Sequence, residues 1–112
     1  MDTINRLAFV VTPKQPFLDW VNALDPNFSH KISANDCPGG VYLIAETETD
    51  QEADDDLALN FDLIFETELE SWWTDEALWP QNRTYPMFRE WFDIRRIDMV
   101  WDLEDKPIIK GD

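Results

Sequence analysis

Two short, uninterrupted apolar runs predict the first two strands of the chain. The run from Arg6 to Val11 holds five consecutive apolar residues, and Val41 to Ala45 repeats this pattern. Both runs are too short for an ordinary helix, and continuous apolar sequence of this length is typical of a strand that is buried on both faces. A third strand is predicted from Ile94 to Leu103, where apolar residues alternate with mostly acidic ones at a period of two.

Three helices are predicted between these strands. Pro16 opens the first helix, because proline suits the first helical position, and Asp25-Pro26 ends it. The segment Thr49–Glu52 matches a capping box and starts a long helix that we expect to reach Trp73. A shorter helix begins near Pro86. The apolar residues of the long helix recur at helical spacing and form one stripe, which consists of Ala53, Leu57, Phe61, Ile64, Phe65, Leu69 and Trp72.

The predicted element order is β-α-β-α-α-β, which indicates one small domain of the α/β or α+β class over residues 1–112. Residues 26–40 are predicted to form a loop and residues 104–112 a loose tail. Strands separated by helices favour crossovers, so we expect a three-stranded mixed sheet packed by helices, with its first two strands parallel. Because only one of three strands is central, two doubly buried strands indicate one of two arrangements: helices cover both strands, or a second copy covers a sheet edge and forms a homodimer.

The acidic composition argues against several kinds of partner. The 112 residues include 24 Asp and Glu against 9 Lys and Arg, which gives a net charge of −15. A surface of this sign repels nucleic acid phosphates and anionic lipid, so neither direct nucleic-acid binding nor membrane docking is expected. The chain also lacks an apolar run of about 20 residues and a basic signal-peptide start, which predicts a cytoplasmic location.

The long helix is the first candidate binding surface, because no Lys or Arg occurs between Ile32 and Asn82. Like charges recur at helical spacing, and each such pair costs about 0.2–0.5 kcal/mol. A solvated face that provides solubility remains one interpretation. The other is a surface for a basic partner protein, with mimicry of DNA as a sharper version in which carboxylates replace phosphates. The candidate partner-binding residues of this helix are Asp54, Asp55, Asp62, Glu66 and Glu70.

The connection from Trp79 to Arg83 is the second candidate site. Tryptophan is enriched at binding hot spots but also fills cores, and Trp73 and Trp79 are the two best suited to exposure. One alternative is therefore a small enzyme or an anionic-ligand-binding domain whose pocket wall is this connection. The competing structural interpretation is that Arg83 or Arg89 pairs with a carboxylate of the Glu66–Glu76 segment.

No residue pattern identifies a catalytic, metal or cofactor site. The only histidine, His30, and the only cysteine, Cys37, lie in the predicted loop without a group that would orient the imidazole. The three carboxylates of Asp54–Asp56 point in different directions around a helix and therefore do not converge on one cation. A non-enzymatic acidic interaction protein is the function that these observations favour.

Five stretches carry a resemblance that covers most of the chain: RLAFVVTPKQPFLDW (Arg6–Trp20), VYLI (Val41–Ile44), ELESWWTDEALWPQNR (Glu68–Arg83), FREWF (Phe88–Phe92) and MVWDL (Met99–Leu103). Together they resemble a family of small acidic uncharacterised bacterial proteins with no established function. The resemblance implies neither an activity nor a cofactor nor a set of site residues.

Overall fold

The computed structural model describes residues 1–27 and 30–111, and its elements confirm a small α+β domain. The strands are β1 (Asp2–Thr3), β2 (Arg6–Pro13), β3 (Gly40–Ala45), β4 (Phe92–Ile97) and β5 (Trp101–Asp102). The helices are α1 (Gln15–Ala23), α2 (Asp50–Glu70) and α3 (Tyr85–Trp91). Residues 28 and 29 of the predicted loop and residue 112 of the predicted tail lie outside the described residues. The rest of that tail, residues 104–111, forms no helix or strand.

The main sheet has the strand order β3-β2-β4 and is antiparallel throughout. The predicted parallel pairing of the first two strands, and with it the mixed sheet, is therefore wrong. The segment after α1 returns the chain to the end of the sheet at which β2 stops, so that Gly40 pairs with Val11 and β3 runs back along β2. Phe92 pairs with Pro13 at the same end. The crossover, formed by α2 and α3, instead joins β3 to β4, which run in the same direction on either side of β2.

Gly39 makes the entry into β3 possible. Its φ of 84° lies in the left-handed region that favours glycine. A Cβ atom at this position would overlap the carbonyl oxygen of Val11. Glycine therefore allows the loop to close tightly against β2 just before the two strands begin to pair.

The three helices meet on Phe92, the first residue of β4. The ring of Phe92 lies 5.2 Å from Phe17 of α1, 5.3 Å from Phe65 of α2 and 5.3 Å from Phe88 of α3, measured between centroids. These contacts place all three helices on one face of the sheet. The largest fully buried side chains are Phe9, Phe17, Phe65, Phe88, Phe92, Leu57, Leu69 and Val11.

Strand β3 is buried on only one face, which corrects the prediction of a doubly buried strand. Tyr42 and Ile44 point toward the helices and are partly buried. Val41 is 62% exposed and Leu43 47% exposed on the other face. The reason is the position of β3, which is an edge strand of a sheet that helices cover on one side.

The predicted strand from Ile94 to Leu103 is divided in two. β4 begins two residues earlier, at Phe92, and ends at Ile97, while β5 pairs with the unpredicted strand β1. Ala8 pairs with Ile97, and the next pair toward the chain ends is Thr3 with Trp101. The segment that links β1 to β2 has one residue more between these pairs than the segment that links β4 to β5. An extra residue of this kind interrupts an antiparallel ladder.

Candidate partner-binding site

The outward side of α2 carries carboxylates with two leucines among them. Leu59 is 83% exposed and Leu63 68% exposed, although both belong to the helix that supplies much of the core. Helical spacing of three and four residues places them on one side with five acidic residues, none of which is buried. We call this set the acidic-leucine surface, and it consists of Glu52, Asp55, Leu59, Asp62, Leu63, Glu66 and Glu70.

The start of α2 is fixed by a cap and by an arginine of β4. The Thr49 hydroxyl accepts a hydrogen bond of 3.1 Å from the Glu52 N–H, as the capping box predicts. Arg96 approaches Asp50 at 3.0 Å and Asp54 at 3.8 Å. Asp54 therefore lies beside a cation of its own chain, away from the acidic-leucine surface, whereas Asp55 faces solvent.

Arg83 lies beside the middle of α2, next to Asp62 and Glu66 of the acidic-leucine surface. Its Nε donates to Asp62 Oδ1 at 2.8 Å, and one terminal nitrogen lies 3.6 Å from Glu66 Oε1. The other terminal nitrogen donates to the carbonyl of Pro80 at 2.9 Å. The predicted pairing of Arg83 or Arg89 with the Glu66–Glu76 segment is thus confirmed for Arg83. These contacts do not support the alternative in which Arg83 holds an anionic ligand.

The two candidate tryptophans have opposite environments. Trp79 is buried beneath the connection and its indole N–H donates to the Trp73 carbonyl at 2.7 Å, so of these two tryptophans Trp73 alone is exposed. The guanidinium of Arg83 lies 5.9 Å from the Trp79 ring. The Trp73 side chain is exposed just after α2 and lines a surface cavity of about 330 Å³ together with Glu70. Trp73 thus extends the acidic-leucine surface at its C-terminal end.

Glu68 is a buried carboxylate that the sequence did not single out as a candidate site residue. It is the only charged side chain that is buried among the described residues, and the Tyr42 hydroxyl donates a hydrogen bond to its carboxylate. Burial raises the pKa of the Glu68 carboxyl, and the Tyr42 hydrogen bond partly opposes this increase. The available signal was its spacing, because Glu68 falls between Ile64 and Trp72 on the apolar stripe.

Cys37 lies in the same buried region and is a poor nucleophile. Burial, together with the carboxylates of Glu68 and Asp36, raises the pKa of the Cys37 thiol to about 11. The thiolate is the reactive form of cysteine, and little of it exists at neutral pH under these conditions. His30 lies 3.7 Å from Asp36. Within residues 1–27 and 30–111, no group of three or more His, Cys, Asp or Glu side chains is arranged to hold a metal ion.

The pairing of Arg83 with Asp62 is open to a direct test. The hydrogen bond from Arg83 holds the pKa of the Asp62 carboxyl below its usual range. We expect Arg83→Gln to raise this pKa in an NMR pH titration, with Arg89→Gln as the matched control that leaves it unchanged. Because the folded pKa is depressed, the pair stabilises the fold at neutral pH, and this stability is lost as the pH falls through the folded pKa. Since Asp62 is nearly half exposed, the pair contributes only about 0.2–1 kcal/mol. An Asp62 pKa that stays the same in Arg83→Gln would contradict the pairing.

In the described part of the chain, every helix is too short or too polar to cross a membrane. Comparisons of the chain with family models, with curated proteins and with solved structures find no match.

Proposed function

We propose that the protein is a non-enzymatic interaction protein that binds a basic partner protein through the acidic-leucine surface of α2. The observation that carries this proposal is the exposure of Leu59 and Leu63 among carboxylates. Single apolar residues are common on protein surfaces, but these two leucines lie one helical turn apart and form a small apolar patch within an otherwise acidic surface. Neighbouring apolar side chains with a polar surround are typical of a protein-binding patch.

The charge pattern indicates the chemistry of the partner. Glu52 and Asp56 stand one helical turn apart and repel each other, as do other like-charged pairs of α2. A cationic partner would relieve this repulsion, and the net charge of −15 would accelerate its approach. The leucines fit an apolar groove or helix face, so the expected partner presents an apolar strip between Lys or Arg side chains.

The two alternatives from the sequence receive less support. A DNA mimic needs spaced carboxylates alone, because the phosphate backbone of DNA has no counterpart to Leu59 and Leu63. An enzyme using the Trp79–Arg83 connection would need free polar groups there, but Arg83 is engaged by Asp62, Glu66 and Pro80. The acidic interaction protein is therefore the function that the geometry supports best.

Affinity capture from the source cell tests the proposal when it is done with matched variants. We expect the wild-type protein to capture basic proteins at low salt, and Leu59→Gln/Leu63→Gln to reduce this capture at least about tenfold. The control is Ile108→Gln/Ile109→Gln, which changes two exposed apolar residues of the tail and should leave capture intact.

A second comparison separates charge from apolar contact. Asp55→Asn/Glu66→Gln/Glu70→Gln should weaken capture and flatten its salt dependence, since exposed charges interact over about 10 Å at 0.1 M salt. If both sets of variants capture the same proteins as the wild type, the acidic-leucine surface is not the binding site.

A further inference from the structure

Strands β1 and β5 form a two-stranded ribbon that continues β2 and β4 beyond the main sheet. Asp2 pairs with Asp102 and Thr3 with Trp101, and the Ile4 N–H donates to the Val100 carbonyl at 2.9 Å. The Cα radius of gyration is 15.9 Å, against about 13 Å for a compact domain of this length. A two-stranded ribbon is marginally stable in water unless it packs against something.

The ribbon and its flanks carry apolar side chains that make no core. Met99, Trp101 and Leu103 are all exposed, as is Met1 at the other end of the ribbon. We call residues 1–4 and 99–105 the arm. The arm contains no Lys or Arg but four carboxylates, which are Asp2, Asp102, Glu104 and Asp105. Its surface is therefore both apolar and anionic.

The side of the main sheet opposite the helices has the complementary character. Side chains alternate along each strand, and the register places every second side chain of β2, β3 and β4 on this side. We call this set the open face: Arg6, Ala8, Val10, Thr12, Val41, Leu43, Ala45, Asp93, Arg95 and Ile97. Two arginines against one aspartate give this face a charge of +1, while the whole chain carries −15. It is thus a cationic, apolar surface on an acidic protein.

The occupant of the open face is restricted by geometry. Because β1 and β5 continue the ladder of β2 and β4, the arm extends away from the open face of its own chain. The face alone measures about 14 by 20 Å, or about 300 Å², from strand spacings. A stable dimer buries about 800 Å² per partner. If each copy contributes both an arm and a face, each partner buries about twice the face area, or about 600 Å².

We propose that two copies form a two-fold dimer in which the arm of each packs on the open face of the other. Trp101 and Leu103 would contact Val41 and Leu43, and the arm carboxylates would lie near Arg6 and Arg95. This arrangement is isologous, since each copy gives and receives the same contact. It also keeps the two α2 helices, which carry most of the repulsive charge, on the outer sides of the dimer.

Sedimentation velocity of the full chain tests this arrangement. We expect the wild type to sediment as a dimer within a range of about 1–500 µM at about 0.15 M salt. Trp101→Ser/Leu103→Ser alters the arm and Val41→Thr/Leu43→Thr alters the face, and each should weaken self-association at least about tenfold. Leu59→Gln/Leu63→Gln, on the other side of the molecule, is the control that should still dimerise.

Mixing the arm variant Trp101→Ser/Leu103→Ser with the face variant Val41→Thr/Leu43→Thr tests whether arm and face contact each other. One variant retains an intact face and the other an intact arm, so the mixture should form a heterodimer more readily than either variant forms a homodimer. Arg6→Gln/Arg95→Gln keeps the apolar contacts and should weaken the dimer and reduce its salt dependence. Circular dichroism establishes that each variant is folded. A wild-type monomer at every concentration, a dimer that survives all three interface variants, or a mixture without heterodimer would overturn the proposal.

Discussion

Replacing Phe65 with alanine is expected to lower the free energy of unfolding by about 3–5 kcal/mol. Phe65 is fully buried on α2, with ring centroids of Trp91 at 5.5 Å and Phe92 at 5.3 Å. Removing the ring loses its burial and leaves a cavity where α2, α3 and β4 meet. Domains have only about 5–15 kcal/mol of stability in total, so this one change removes a large part. Urea denaturation followed by tryptophan fluorescence measures the loss.

The matched control for this prediction lies on the same helix. Leu59→Ala also removes an apolar side chain from α2, but from an exposed position. Its effect on the free energy of unfolding should stay within about 0.5 kcal/mol. Equal losses for the two variants would show that the inward and outward sides of α2 are wrongly assigned.

The helices were predictable because their signals are local. Phe65 belongs to an apolar stripe with a period that only a helix satisfies, and Thr49 and Pro16 supply start signals within a few residues. Strand direction has no such local signal. An apolar run has the same burial pattern in either direction, and the chain between α1 and β3 decides the direction by returning to the end of β2.

The apolar run of β3 was misinterpreted for a different reason. Buried positions are usually apolar, but apolar residues are also common on protein surfaces, so the run Val41–Ala45 did not establish burial on both faces. Its edge position follows from pairing with β2 alone, which is a tertiary property. The exposed Val41 and Leu43 supply apolar contact area to the open face in the proposed two-fold dimer.

The candidate site was partly predictable. Helical spacing was sufficient to identify the carboxylates of α2, but only the fold shows that Arg83 occupies Asp62 and that Arg96 approaches Asp54. Leu59 and Leu63 were overlooked although they stand four residues apart and off the apolar stripe. The acidic-leucine surface and the open face lie on opposite sides of the sheet, so variants of one test it without altering the other.

The Tyr42→Phe variant is expected to lose about 1–3 kcal/mol of unfolding free energy at neutral pH, because it leaves a buried carboxylate without a hydrogen-bond donor. The Tyr42 hydroxyl is the side-chain donor to Glu68, and the phenylalanine ring would leave that carboxylate buried without it. The loss should be smaller at pH 4, which lies below the ordinary carboxyl value of 4.5 and so below the raised pKa of Glu68, because an uncharged carboxyl is less costly to bury. Denaturation curves across this pH range measure both values.

The sign of the pH dependence is fixed by the direction of the Glu68 shift. Its pKa in the folded state lies above the ordinary value of 4.5, so folding favours the protonated carboxyl. The associated stability is fully present below the unfolded pKa and is lost as the pH rises through the folded pKa.

Glu68→Gln, which stays neutral and still accepts from Tyr42, should therefore equal the wild type in stability near pH 4 and exceed it at pH 7. Glu70→Gln removes an exposed charge two residues away and should show a difference within about 0.5 kcal/mol at both values. A Glu68→Gln variant that is less stable than the wild type at pH 7 would mean that the charged carboxylate stabilises the fold.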